Sequence, residues 1–228
     1  MERILQVTGD GSPTVAVPSL QVSYHSRHGA IQESMHVFIH AGLDPVLQQT
    51  TGTISILEMG FGTGLNALLT AIAAPDRMIS YEACEKFPLE DDLVRSLNYC
   101  QLLERNDMET LFLQLHQSPW EKPVAITPRF TLVKHQVALE NFAPQQVFNL
   151  IYFDAFAPAA QPELWTTAIF SKLYASLEEE GILVTYCSKG DVRRAMTAAG
   201  FTVEKLKGPP GKREMVKAVK QTRTTNNI

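Results

Sequence analysis

The chain has 228 residues, 45% of them apolar and 19% charged, with 20 Lys and Arg against 24 Asp and Glu for a formal net charge of −4. That length suits one large domain with short appendages, and the apolar content builds a sizeable core and excludes dominant disorder. The acidic balance excludes a uniform positive field for nucleic acid and leaves room only for a local basic patch. No stretch approaches the roughly 18 apolar residues of a membrane span, and the N-terminal MERILQVTGDG has no apolar signal-peptide core. Cys84, Cys100 and Cys187 are scattered, without a CxxC pair, so neither a disulfide framework nor a zinc site is indicated and a reduced, cytoplasmic protein is expected.

In chain order, Ile4 to Val7, Val15 to Val17 and Leu20 to Tyr24 alternate weakly around Asp10-Gly11, which predicts short N-terminal strands rather than helices over the first 40 residues. Ile54 to Met59 is a strand ending in glycines, and Leu65 to Ala74 is a helix closed by Pro75. Strands follow at Met78 to Cys84, Phe130 to Val133, Phe148 to Phe153 and Ile182 to Cys187, with helices at Leu89 to Leu103 and Met108 to His116. Trp165, Ile169, Leu173 and Leu177 stripe one helix face, and Asp191 to Ala199 is a last helix capped by Gly200. Phe201 to Leu206 and Met215 to Val219 have no helix between them and must pair as a hairpin. Alternating strands and helices give a doubly wound α/β sheet. The antiparallel ending marks it as a Rossmann-like sheet of the methyltransferase type, with a short N-terminal β extension. The expected division is residues 1–50 as that extension packed on the main domain, 51–220 as the main domain and 221–228 as a flexible tail.

Glu58-Met59-Gly60-Phe61-Gly62-Thr63-Gly64-Leu65-Asn66 sits at a strand-to-helix junction. Glycines allow a tight turn and close approach to a ligand. The spacing is GxGxG, not the GxGxxG of a pyrophosphate reader, and Glu58 repels phosphate. A carboxylate there attracts a cation or an amino group. S-adenosylmethionine has a sulfonium, an ammonium and no phosphate, which makes it the expected cofactor. Glu85 lies 21 residues past Gly64, where its two carboxylate oxygens suit the ribose hydroxyls. After the third strand stand His135 and Gln136, so an amide rather than an acid is available to adenine.

The apolar run Phe148 to Phe153 ends in Asp154-Ala155-Phe156-Ala157-Pro158. Chemistry in such sheets occurs beyond the carboxyl ends of the strands. Asp154 is therefore the expected catalytic residue, aligning an attacking amine with the methyl group.

These segments resemble the methyltransferase domain of the bacterial tRNA 5-methylaminomethyl-2-thiouridine biosynthesis enzyme, in its stand-alone form. The resemblance runs from about residue 24 to 216, through Glu33 to Phe38, Glu58 to Asn66, Tyr81 to Leu89, Asp154 to Pro158, Pro162 to Trp165, Val192 to Arg194 and Gly211 to Met215. The glycine loop is generic to many methyltransferases, whereas the acceptor loop, Pro-Glu-Leu-Trp and Lys-Arg-Glu-Met runs are much more selective. The chain departs from the family where Ala155 replaces a glycine, where Ala160-Gln161 replaces Lys-Asn, and where His135-Gln136 replaces Gly-Asp.

The resemblance implies methylation of the aminomethyl group of 5-aminomethyl-2-thiouridine at the tRNA wobble position. It implies a tRNA substrate, and a separate FAD-dependent oxidoreductase supplying the precursor. Expected cofactor contacts are Glu58, Gly60, Phe61, Gly62, Thr63, Gly64, Asn66, Glu85, Lys86, Gln136 and Asp154. Expected substrate contacts are Tyr24, Phe156, Pro158, Arg193, Lys212 and Arg213, with Lys205, Lys207 and Lys217 completing a basic cluster near the final hairpin. Trp165 is expected in the core and Cys187 buried. No metal-ligand cluster is apparent. Two other readings of the residues stand beside this one: a small-molecule N-methyltransferase or polyamine-synthase-like enzyme on the same fold, and a non-catalytic RNA-binding remnant.

Overall fold

The structure, a computed structural model, describes residues 2–222. β1 (Ile4–Val7), β2 (Pro13–Val17) and β3 (Val22–Ser23) form a small antiparallel sheet. The chain then turns helical through α1 (Ala30–Ser34), a π-helical stretch (Met35–Leu43) and α2 (Asp44–Gln49). This helical run replaces the strands expected there. Its apolar residues Val37, Phe38, Ile39 and Leu43 are buried against the main sheet, which overrides the strand propensity of a β-branched and aromatic run. Gly42 makes the close approach feasible, because a Cβ there would come within 2.9 Å of Val184 Cγ2.

The main sheet comprises β4 (Ile54–Met59), β5 (Ile79–Cys84), β6 (Val124–Thr127), β7 (Phe130–His135), β8 (Phe148–Phe153), β9 (Leu177–Thr185), β10 (Thr202–Lys207) and β11 (Glu214–Val219), in the order β10-β11-β9-β8-β4-β5-β7-β6. From β9 across to β7 the neighbours are parallel. The final hairpin inserts β11 antiparallel to β9, as its missing crossover helix requires. β6, which the sequence did not disclose, pairs antiparallel with β7 at the other edge. It is short and half exposed, so it lacks the apolar run that marked its neighbours.

The helices are α3 (Leu65–Ala73), α4 (Asp91–Arg95), α5 (Tyr99–Leu102), α6 (Glu109–Gln117), α7 (Thr167–Ala175) and α8 (Gly190–Ala198). The single helix expected over Leu89 to Leu103 is instead two short turns, α4 and α5, separated around Leu97 and Asn98. Leu177 also leaves the expected stripe: the Ser176 hydroxyl donates to Leu173 O at 2.9 Å as α7 closes, and Leu177 opens β9. Central strands bury both faces. Ile56, Tyr81, Leu150 and Val184 pack under α3, α6 and the 30–49 helices, while Leu57, Ile151, Phe153 and Leu183 pack under α7 and α8. No helix among the described residues is long and apolar enough to cross a membrane. Of the expected tail, residues 223–228 lie outside those described.

Candidate active site

The carboxyl ends of β4, β5 and β8 open onto a cleft of about 1040 Å³, part of it open to solvent. Its floor is the glycine loop. Gly60, Gly62 and Gly64 hold φ of +97°, +50° and +70°, conformations that L side chains rarely adopt. A Cβ on Gly60 would lie 2.8 Å from Asp154 O, and one on Gly62 would lie 2.9 Å from the Tyr24 ring. The loop is therefore pressed between the acceptor strand and the N-terminal segment.

Several contacts hold it there. Glu85 Oε2 accepts from Gly62 N at 3.1 Å, and Oε1 accepts from Phe87 N at 2.7 Å. Thr63 O meets His116 Nε2 at 3.0 Å, and burial lowers the His116 pKa to about 4, so the neutral ring donates. His25 is buried, with its pKa lowered to about 4, and bridges Thr14 Oγ1 at 3.1 Å and Thr63 Oγ1 at 3.4 Å. Arg3 donates to Pro88 O at 2.7 Å, so β1 is tied to the loop that follows β5. Tyr24 stands edge-on to Phe156 with ring centroids 5.1 Å apart, which joins the N-terminal sheet to the acceptor loop.

Glu58 lies beneath this floor. It is fully buried, accepts from Asn66 Nδ2 and from Tyr81 OH at 2.9 Å each, and does not line the cleft. Burial, with the nearby Asp154 adding to it, pushes its pKa well above the carboxylate range. Its expected exposure to a cofactor amine is thus corrected: it supports the loop through Asn66. Glu58→Ala would strip partners from two buried groups and is expected to destabilise the fold by about 2–4 kcal/mol. Glu58→Gln, which keeps the shape and can still bond both neighbours, should cost less than about 1 kcal/mol. Thermal unfolding of both at pH 7 tests this; a loss in the Gln variant as large as in the Ala variant would contradict a role for Glu58 as hydrogen-bond support for Asn66 and Tyr81.

Asp154 sits at the end of β8, its N–H bonded to Met59 O at 3.0 Å. Asn66 Nδ2 donates to its Oδ2 at 3.0 Å. Burial first, then the charge of Glu33, raise its pKa to about 7, against the opposing effects of Asn66 and Lys212. The loop behind it is fastened at three points. Phe156 N donates to Gln161 Oε1 at 3.0 Å, Trp165 Nε1 donates to Phe156 O at 2.8 Å, and Tyr186 OH donates to Ala155 O at 2.8 Å. Trp165 is buried, edge-on to Phe153. Gln161, one of the departures from the family pattern, thus holds the loop it follows.

The cleft gathers Tyr24, Gly60, Phe61, Gly62, Thr63, Asn66, Glu85, Lys86, Asp154 and Phe156 of the expected site residues. Gly64 instead starts α3, where a Cβ would lie 2.7 Å from His116 Nε2. Gln136 is exposed outside the cleft, its N–H bonded to Glu121 Oε1 at 2.7 Å, and Val137, Ala138, Leu139 and Glu140 form that wall. Pro158 also lies outside it. Arg193 is half-buried, its Nε donating to Ser188 O at 3.2 Å.

The basic cluster is largely neutralised: Lys205 pairs with Glu214, Lys217 with Glu204 and Lys212 with Glu33. Lys212, expected as a substrate contact, is half-buried in its pair with Glu33. Arg213 and Lys207 remain exposed, with no carboxylate at salt-bridge distance among the described residues. The roles of His25 and Arg3 were not legible in the sequence, because each acts through a partner distant along the chain, Thr63 and Pro88.

A family model described as S-adenosyl-L-methionine-dependent methyltransferase matches residues 116–221. Similar proteins include the tRNA 5-methylaminomethyl-2-thiouridine biosynthesis bifunctional protein MnmC of Paraburkholderia xenovorans (strain LB400), 30% identical over 227 residues, which cover 93% of this chain and 34% of that protein. The protein of the same name from Methylobacillus flagellatus is 33% identical over 205 residues, covering 85% of this chain and 32% of its own. The chain spans about a third of the length of these relatives. In fold it is similar to the crystal structure of MNMC2 from Aquifex aeolicus, with a TM-score of 0.74, 24% identity, and coverage of 95% of this chain and 70% of that one. It is less similar to spermidine synthase from Thermotoga maritima, with a TM-score of 0.51, 12% identity, and coverage of 92% and 66%. The sequence similarity over nearly the whole chain makes it a homologue of about a third of the MnmC proteins, residues 116–221 match the S-adenosyl-L-methionine-dependent methyltransferases, and the solved structures share its fold.

Proposed function

We propose that the chain methylates the primary amine of 5-aminomethyl-2-thiouridine at the wobble position of tRNA, using S-adenosylmethionine. The observation that carries this reading is Asp154, a carboxylate poised near neutrality at the carboxyl end of β8, on the floor of a cleft floored by the glycine loop. The acceptor is the one for which these relatives are named.

The residues present fit the cofactor. Asn66 gives its Nδ2 hydrogens to Glu58 and Asp154, which leaves its buried Oδ1 without a partner among the described residues and suited to an ammonium. Glu85 has remaining acceptor capacity for ribose hydroxyls. The apolar wall of Val137, Ala138 and Leu139 suits an adenine face, and Glu140, rather than Gln136, offers its exocyclic amine an acceptor. When bound, the cofactor supplies an electrophilic methyl on a positively charged sulfur. Asp154 does the rest of the acid–base work: ionised, it orients the amine and takes the proton the nitrogen must lose. Tyr24 and Phe156 wall the acceptor side, and Lys207 and Arg213 offer charge to the RNA backbone. A separate FAD-dependent oxidoreductase would supply the aminomethyl precursor, in a cytoplasmic setting.

A small polyamine-like acceptor is the second reading, favoured by the four carboxylates Glu85, Glu140, Asp154 and Glu163 around the cleft. A strain lacking the gene separates the two. Its tRNA should accumulate 5-aminomethyl-2-thiouridine in place of the methylated nucleoside, with its polyamine pool unchanged. An unaltered nucleoside profile would remove the tRNA reading.

A further inference from the structure

Three elements converge near Asp154, outside the lining of the cofactor cleft. Glu33, on α1, is almost fully buried, and its Oε2 accepts from Ser26 N at 2.7 Å. Its other oxygen accepts from Lys212, which comes from the turn between β10 and β11. The Lys212 ammonium also lies 3.8 Å from the centroid of the Tyr186 ring. Tyr186 follows β9 and bonds through its hydroxyl to Ala155 O, the residue after Asp154. None of the three lines the cofactor cleft.

Burial and the charge of Glu33 disfavour the ionised form of Asp154, and Asn66 and Lys212 oppose them. Facing it or coupled to it are Glu58 on β4, Asn66 on α3, Tyr81 on β5, Glu33 on α1, Tyr186 after β9 and Lys212. Lys212 is the only cation in this set. A buried carboxylate such as Glu33 disfavours a second negative charge nearby, and an ammonium paired to it cancels that effect. The Tyr186 face adds a cation–π contact that fixes where the ammonium sits.

We propose that Lys212, held between Glu33 and the Tyr186 ring, is a positioning residue that favours the charged form of Asp154 and keeps its loop aimed at the acceptor amine. The proposal rests on the reading of Asp154 given above. It also explains why Lys212 is paired with a buried carboxylate while Arg213 beside it is exposed.

The test is a titration of the Asp154 carboxyl by NMR in the full chain labelled at aspartate Cγ, with the resonance assigned by its loss in Asp154→Asn. Lys212→Met should move the midpoint up by roughly half to one pH unit, and Glu33→Gln should move it down by a similar amount. The double variant should titrate near the wild type, and Lys212→Arg should stay close to it. Opposite shifts from the two single substitutions are the signature of charge balance; mere loosening of the fold moves both the same way. The acid limb of single-turnover methylation should follow the NMR midpoints, with cofactor affinity within about twofold of wild type. Unmoved midpoints, or shifts of the same sign, overturn the pair's role while leaving the reading of Asp154 intact. Undiminished turnover in Asp154→Asn overturns both.

Discussion

Replacing Asp154 by Asn is expected to lower single-turnover methylation of hypomodified tRNA by at least about 10²-fold, with cofactor affinity changed by less than about tenfold. The Asn keeps the shape and one acceptor oxygen for Asn66, but it cannot take a proton. The same substitution should stabilise the fold at alkaline pH. The folded pKa of about 7 lies above the ordinary 3.8, so the folded state holds a proton through that window. The stability contributed by that proton is fully present below about pH 4 and is lost as pH rises through 7. Above pH 7 the wild type carries a buried charge that the variant lacks, worth on the order of 1–3 kcal/mol after allowing for the part of Asp154 that water reaches. Melting curves at pH 5 and 8.5 should therefore converge at the lower pH and separate by several degrees at the higher one. Equal stability at both, or near-normal turnover, would reduce Asp154 to a turn residue.

The second large effect belongs to Glu85. Glu85→Ala is expected to weaken S-adenosylmethionine binding by about ten- to a hundredfold, the range of a charged, hydrogen-bonded contact. Its carboxylate already ties Gly62 N to Phe87 N, so the substitution also releases the glycine loop from the segment after β5. Glu85→Gln keeps one acceptor and should fall between the two. Calorimetric titration on folded protein measures this, and an unchanged dissociation constant for Glu85→Ala would exclude Glu85 from the cofactor site.

Much of the fold is legible because parallel strands buried on both faces read as apolar runs. Phe148 to Phe153 is a strand in the structure with the same limits the sequence suggests. The final hairpin is legible for a topological reason: Gly208 to Gly211 leaves no room for a crossover helix. The helical run over 30–49 is not legible, because Val37-Phe38-Ile39 favours a strand locally and only the sheet beneath decides otherwise. In the site, the glycine loop, Glu85 and Asp154 announce themselves by order along the chain. The contacts that set their chemistry do not. Glu33 and Lys212 are 179 residues apart, and His25 meets Thr63 across 38. Glu58 misleads for a related reason: a carboxylate before a glycine loop looks solvent-facing until Tyr81 and Asn66 are seen to bury it.

The most direct test of the account is methyl transfer by the purified chain to tRNA from cells unable to complete this modification. The tRNA is given S-adenosylmethionine labelled at the methyl group and then digested to nucleosides for chromatography, beside reactions with free polyamines. The account predicts label in 5-methylaminomethyl-2-thiouridine and none in the polyamines. Label in another nucleoside, in the polyamines, or nowhere despite cofactor binding would contradict it.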